Sequence, residues 1–136
     1  MKRFVIASHH KYAKGFKDTL NFLTTIDDIY DISAYVDENE EPLEDIISEL
    51  FNTFNENDKV IVLTDMFHGS INQKFIPYMS ENVFIVTGAN VPLGLELLLA
   101  KEDDINYDFI QSKVYESRKN LIFVNSVSLV QDEEDE

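Results

Sequence analysis

The chain has 136 residues, 44% of them apolar, and no cysteine. That length supports one substantial core, and the missing thiols exclude a disulfide framework, a thiol nucleophile and zinc–thiolate sites. Its 26 acidic and 11 basic side chains leave a net charge of −15, which disfavours a phosphate backbone as partner and suits a basic protein patch or simple solubility.

Lys2 to Ser8 is an apolar run after a basic start, as expected for a strand buried on both faces. Its apolar part is too short for a signal peptide, and no run approaches the ~20 residues of a membrane span, so a soluble, cytoplasmic protein is expected. Lys11 to Thr25 follows as a helix with Tyr12, Phe16, Leu20 and Leu23 at helical spacing. Gly15 inside it weakens the helix by roughly 1 kcal/mol relative to alanine, and close packing against the sheet is the expected reason. Ile29 to Val36 reads as a second strand, with Ile32, Ala34 and Val36 on one face. Asp37 to Glu41 is an acidic turn, and Pro42 suits the start of a helix whose stripe is Leu43, Ile46, Ile47, Leu50, Phe51 and Phe54.

Lys59 to Thr64 is a β-branched run and the clearest strand. It stops at Asp65-Met66-Phe67-His68-Gly69-Ser70, where Ser70 can cap a helix running to about Tyr78. Asn82 to Thr87 is a fourth strand. Asn90 is the expected N-cap of a helix from Val91 to Lys101, and a further helix spans Ile105 to Lys119. Leu121 to Val130 alternates like a final edge strand, antiparallel to the rest. Residues 131–136 are an acidic tail beyond a single domain at 1–130. Strands alternating with helices predict an α/β fold: a doubly wound, mainly parallel sheet of flavodoxin-like order 2-1-3-4, with helices on both faces.

In such sheets ligands sit at the carboxyl ends of the strands. Three loops end there: Ser8-His9-His10, Asp65 to Ser70, and Gly88-Ala89-Asn90. If the first and third strands are neighbours, His9 and Asp65 fall side by side. Histidine is nucleophilic when neutral, and its reference pKa of about 6.5 leaves it mostly so at pH 7. A carboxylate bonded to one ring N–H fixes the tautomer and supports the charge that develops, which makes Asp65 the candidate partner of His9. The Ser70 hydroxyl and the backbone N–H groups beside it can receive an anionic group, and Gly69 allows close backbone approach. His10, His68 and Phe67 are candidate accessory residues. A polar turn residue at His9, a turn cap at Asp65 and a plain N-cap at Ser70 are the simpler alternatives. His9 and His10 are adjacent and point different ways, so no metal is expected. No phosphate-loop or dinucleotide motif is present, and no cofactor is expected. Tyr12, Phe67 and Tyr78 read as core or site wall.

Three blocks then match one family. Val5-Ile6-Ala7-Ser8-His9 with Ala13-x-Gly15, Leu63 to Asn72, and Val86-Thr87-Gly88-Ala89-Asn90-Val91-Pro92-Leu93 resemble, in order and spacing, the EIIA proteins of the mannose-type sugar phosphotransferase system. The resemblance implies that His9 takes a phosphoryl group from phospho-HPr and gives it to an EIIB domain, with Asp65 as its hydrogen-bonding partner and Ser70 holding the group. It also implies a homodimer that exchanges its last strand, antiparallel, between subunits. The membrane components of such systems, EIIC and EIID, act downstream. His10, His68 and Ile71 depart from the family's Gly, Gly and Pro, and a side chain in place of Gly demands a compatible φ. Two alternatives stay open: a non-catalytic regulatory or interaction module on the same fold, and a phosphocarrier for a dihydroxyacetone kinase.

Overall fold

The structure is a computed structural model, and it describes residues 1–127. Four strands, β1 (Lys2–His9), β2 (Tyr30–Ala34), β3 (Lys59–Thr64) and β4 (Val83–Thr87), form one parallel sheet in the order β2-β1-β3-β4. The helices are α1 (Tyr12–Thr24), α2 (Leu43–Asn52), α3 (Ser70–Phe75), α4 (Val91–Leu99) and α5 (Tyr107–Ser117). The fold class and strand order agree with the expectation from alternating strand and helix patterns.

The period-2 alternation of β1 divides the core into two layers. Phe4 and Ile6 face Ala13, Phe16 and Leu20 of α1 and Leu93 and Leu97 of α4. Val5 and Ala7 face Leu43 and Ile47 of α2 and Ile71 and Phe75 of α3. All these side chains are buried, which is why β1 and β3 lack a polar face.

Several details differ from the sequence expectation. Tyr12 and Leu23 are about half exposed; the buried face of α1 is Ala13, Phe16 and Leu20. Phe16 and Leu20 lie on the expected face, and Ala13 rather than Tyr12 continues it toward the N-terminus. Gly15 has nothing within 4 Å of where a Cβ would stand. Close packing falls instead on Gly94 of α4, whose added Cβ would lie 2.8 Å from Phe16 Cε1. Glycine there lets α4 lie against α1. The helix after Asp65 to Gly69 is shorter than expected: α3 ends at Phe75 and passes into a 3₁₀ turn at Ile76–Tyr78. Pro77 has no N–H to continue the ladder.

Residues 121–127 form no strand. Val124 to Val127 are helical, and the rest of the expected last strand, with the acidic tail, lies outside the described residues. Alternation specifies a strand only where an edge is available to pair with it. Leu121 and Phe123 stand 92% and 73% exposed in the single chain, so no such pairing holds them. No helix among the described residues is long and apolar enough to cross a membrane.

Candidate functional site

The parallel registers fix where the loops meet. Ala7 of β1 pairs with Thr64 of β3, and His9 pairs with Ala34 of β2. The end of β1 therefore lies between Asp65, just past β3, and Tyr35, just past β2.

The turn after β1 is held from within. The buried Ser8 hydroxyl accepts from the Ala13 N–H at 2.6 Å and donates to the His10 carbonyl at 3.1 Å. His10 N–H donates to Ala34 O at 2.7 Å. His10 has φ +55, the left-handed region that a glycine would occupy freely. Histidine is among the side chains that tolerate it best.

Asp65 Oδ2 accepts twice from His9, from the backbone N–H at 2.8 Å and from ring Nδ1 at 2.9 Å. The expected pairing of these two residues is present. Burial pushes the Asp65 carboxyl up, but the two His9 hydrogens outweigh it and the net shift is down. An ionised carboxylate only accepts, so Nδ1 carries a proton, and in the neutral imidazole Nε2 is the acceptor. The carboxylate's other oxygen, Oδ1, accepts from the Met66 N–H at 3.0 Å and ties down the loop.

Gly69 closes one side of the imidazole. A Cβ there would stand 2.5 Å from His9 Cε1 and 3.3 Å from Nε2. The close approach expected of Gly69 is thus made to the His9 ring itself. Gly69 is the N-cap of α3, and Ser70 is the first helical residue and caps nothing with its side chain. Its hydroxyl is free of the backbone and shares a 2.7 Å hydrogen bond with the Tyr35 hydroxyl. The buried Asn72 supports the loop, accepting from Thr64 Oγ1 at 3.1 Å and reaching the Phe67 carbonyl at 3.4 Å.

Tyr35 was not legible as a site residue, because the apolar run from Ile29 to Val36 hides the end of β2. Its ring centroid lies 5.7 Å from that of His9, at a 36° tilt. Its φ is +65. Three successive N–H groups, of Tyr35, Val36 and Asp37, point at the Glu40 carboxylate. That concave backbone nest lowers the Glu40 carboxyl, the Tyr35 N–H first and the Asp37 N–H next.

The accessory candidates fare differently. His68 is exposed and lies edge-on to the Phe67 ring, with centroids 5.0 Å apart. Phe67 and Tyr12 are half exposed, so neither belongs to the core. Tyr12 lines a small cleft with Asp65, whereas Tyr78 stacks on Phe51. Asn90 caps α4 through the Leu93 N–H and donates to the Ser117 carbonyl. Ile71 is fully buried in the core. Among the described residues, no three His, Cys, Asp or Glu side chains cluster as a metal site requires.

The family model EIIA-man, PTS system fructose IIA component, matches residues 3–114. The chain belongs to the EIIA-man family. No curated protein matches it at the sequence level. Among solved structures, a phosphoenolpyruvate-dependent sugar phosphotransferase system (PTS) permease of Klebsiella pneumoniae is 26% identical, with a TM-score of 0.84 over 93% of each chain. A PTS IIA protein associated with the fucose utilization operon of Streptococcus pneumoniae is also 26% identical, with a TM-score of 0.78 over 92% of this chain and 94% of that one. The mannose/sorbose specific IIA subunit of Enterococcus faecalis, 17% identical over 90% of this chain and 94% of that one, shares the fold at a TM-score of 0.65. The EIIA-man match spans the His9 turn, the Asp65 to Asn72 loop and the Asn90 cap.

Proposed function

We propose that this EIIA-man protein is a cytoplasmic phosphoryl carrier of a sugar phosphotransferase system, with His9 Nε2 as the atom that bears the group. The observation that carries this reading is the double acceptance by Asp65 Oδ2. In the neutral imidazole it keeps the proton on Nδ1, presents Nε2 as the acceptor and fixes the ring plane before a donor arrives.

The donor is phospho-HPr. Nε2 attacks phosphorus in line, the new N–P bond forms, and the donor's N–P bond breaks with its electron pair returning to the donor ring. The positive charge that develops on the His9 imidazole is offset by Asp65 through the Nδ1–H. Ser70 holds a phosphoryl oxygen through its hydroxyl, and Gly69 keeps a side chain out of that space. Transfer to an EIIB domain repeats the step with His9 as donor. His10 and His68 stand near as rim residues with no part in the N–P exchange.

The same reading extends to a homodimer. β4 ends the strand order, and beyond the isolated bridge of Val83 to Ser80 no further strand pairs with it among the described residues. The segment from Leu121 to Val127 carries exposed apolar side chains that a second copy would cover. Sedimentation of the full chain against a chain ending at Asn120 tests this; a dimer only for the former is expected, and two monomers would contradict it.

Incubation with phosphoenolpyruvate, Enzyme I and HPr, followed by intact-mass measurement, tests the carrier function. One acid-labile phosphoryl group on the wild type and none on His9→Ala is the expected result. A group that persists in His9→Ala would overturn it.

A further inference from the structure

We infer that the Tyr35 hydroxyl is a direct ligand of the phosphoryl group carried at His9, acting as a pair with the Ser70 hydroxyl. This rests on the carrier function proposed above.

The backbone puts Tyr35 where the strand pattern would not. Ile32 and Ala34 of β2 point to the layer containing α2 and α3. Continued alternation would send residue 35 to the opposite face, toward α1. The φ of +65 breaks the alternation and turns the ring back over the carboxyl end of β1. There it reaches Ser70, the first residue of α3, and leans against His9. Tyrosine rarely adopts this conformation, and the Glu40 carboxylate secures it by accepting three consecutive backbone N–H groups.

Neither packing nor satisfaction of buried groups accounts for the hydroxyl. Tyr35 is 53% exposed, and the partner of its hydroxyl is another exposed hydroxyl. Two hydroxyls sharing one hydrogen bond use one O–H between them and leave the second for an outside acceptor. Gly69 stands against the Cε1–Nε2 side of the imidazole, and the Tyr35 ring lies beside the same imidazole. A phosphoryl group bonded to Nε2 therefore projects toward both hydroxyls. Their mutual hydrogen bond then opens, each hydroxyl donates its one O–H to a non-bridging oxygen and keeps its proton, and the N–P bond is made and broken at His9 alone.

Tyr35→Phe removes the oxygen and keeps the ring against His9. The transfer equilibrium with phospho-HPr, read by intact mass, should move toward the donor by about fivefold to tenfold, the difference between a charge-assisted and a neutral hydrogen bond. The ³¹P resonance of phospho-His9 should move as well, with circular dichroism unchanged. Tyr35→Phe placed in a Ser70→Ala background should shift the equilibrium again. An unchanged equilibrium and resonance in Tyr35→Phe, with the wild type phosphorylated at His9, would overturn this inference alone. So would a Tyr35→Phe effect that vanishes in the Ser70→Ala background, since Tyr35 would then act only by positioning Ser70. A wild type that takes no group on His9 would overturn the carrier function itself.

Discussion

A single carboxylate oxygen of Asp65 holds His9 twice, at 2.8 Å from its backbone N–H and 2.9 Å from its ring Nδ1. The two contacts do different things. The backbone bond locks the end of β1 to the end of β3, and the ring bond selects the tautomer. Asp65→Asn keeps the shape but removes the charge and the obligatory acceptor. Phosphorylation of His9 should slow by about 10–100-fold, the usual cost of losing a partner that orients a reactive imidazole. Quenched-flow transfer from phospho-HPr measures it, and a rate equal to wild type would contradict the assigned partnership.

Gly69→Ala separates the site from the fold. The φ of Gly69 is −83, so alanine fits the backbone. Its Cβ would nonetheless stand 2.5 Å from His9 Cε1, and the imidazole must leave its bond to Asp65. Replacing a glycine at a compatible φ removes freedom from the unfolded chain and typically stabilises by about 0.4–1 kcal/mol. Phosphorylation should therefore fall while the thermal midpoint holds or rises. A parallel loss of both would mean that the loop, not the ring, gives way.

Gly94 and Gly15 should respond in opposite directions. A Cβ at Gly94 meets Phe16 Cε1 at 2.8 Å and Leu20 Cδ1 at 3.2 Å, whereas nothing surrounds Gly15. Gly94→Ala overpacks the contact between α4 and α1 and should cost about 1–3 kcal/mol. Gly15→Ala should gain roughly 0.5–1 kcal/mol from helix propensity. Urea unfolding of the two variants decides the matter, and a destabilised Gly15→Ala would contradict the packing described for α1.

Acid should weaken the fold through Asp58. Its carboxyl is lowered to about 2, by the Asn55 N–H first and the Arg3 guanidinium next, with the N-terminal amine assisting. Arg3 Nε lies 2.9 Å from it. A carboxyl lowered in the folded state contributes stability above the ordinary value of about 3.9, and that contribution is lost as pH falls through the folded value. Asp58→Asn should melt below wild type at neutral pH, and the gap should close as pH drops from about 4 toward about 2. A gap constant with pH would contradict this.

Much of the site was legible because parallel sheets put loop chemistry at one end. The β-branched run of β3 and the apolar run of β1 gave both strands, and their adjacency brought His9 to Asp65. At His10 the sequence showed only that a side chain in place of glycine demands a compatible φ, and the left-handed value of +55 comes from the backbone. Tyr35 escaped because its part depends on one positive φ, which neither hydrophobic periodicity nor propensity encodes. Ser70 read as a cap because Gly69 and Ser70 are both acceptable caps, and only the backbone shows that the helix begins one residue earlier than a Ser70 cap would leave it, with Ser70 inside. Gly15 and Gly94 look alike in a helical stretch, and the neighbour that makes one of them necessary, Phe16, comes from another helix. Residues 121–127 alternate as a strand would, but pair with no edge among the described residues.

The most direct test is the identity of the atom that carries the group. ¹⁵N-labelled protein, phosphorylated with phosphoenolpyruvate, Enzyme I and HPr, can be observed through its ring nitrogens. Phosphorus coupled to His9 Nε2, with Nδ1 still protonated against Asp65, is the expected result. Phosphorus on Nδ1, on His10 or His68, or on no histidine at all would contradict the central claim.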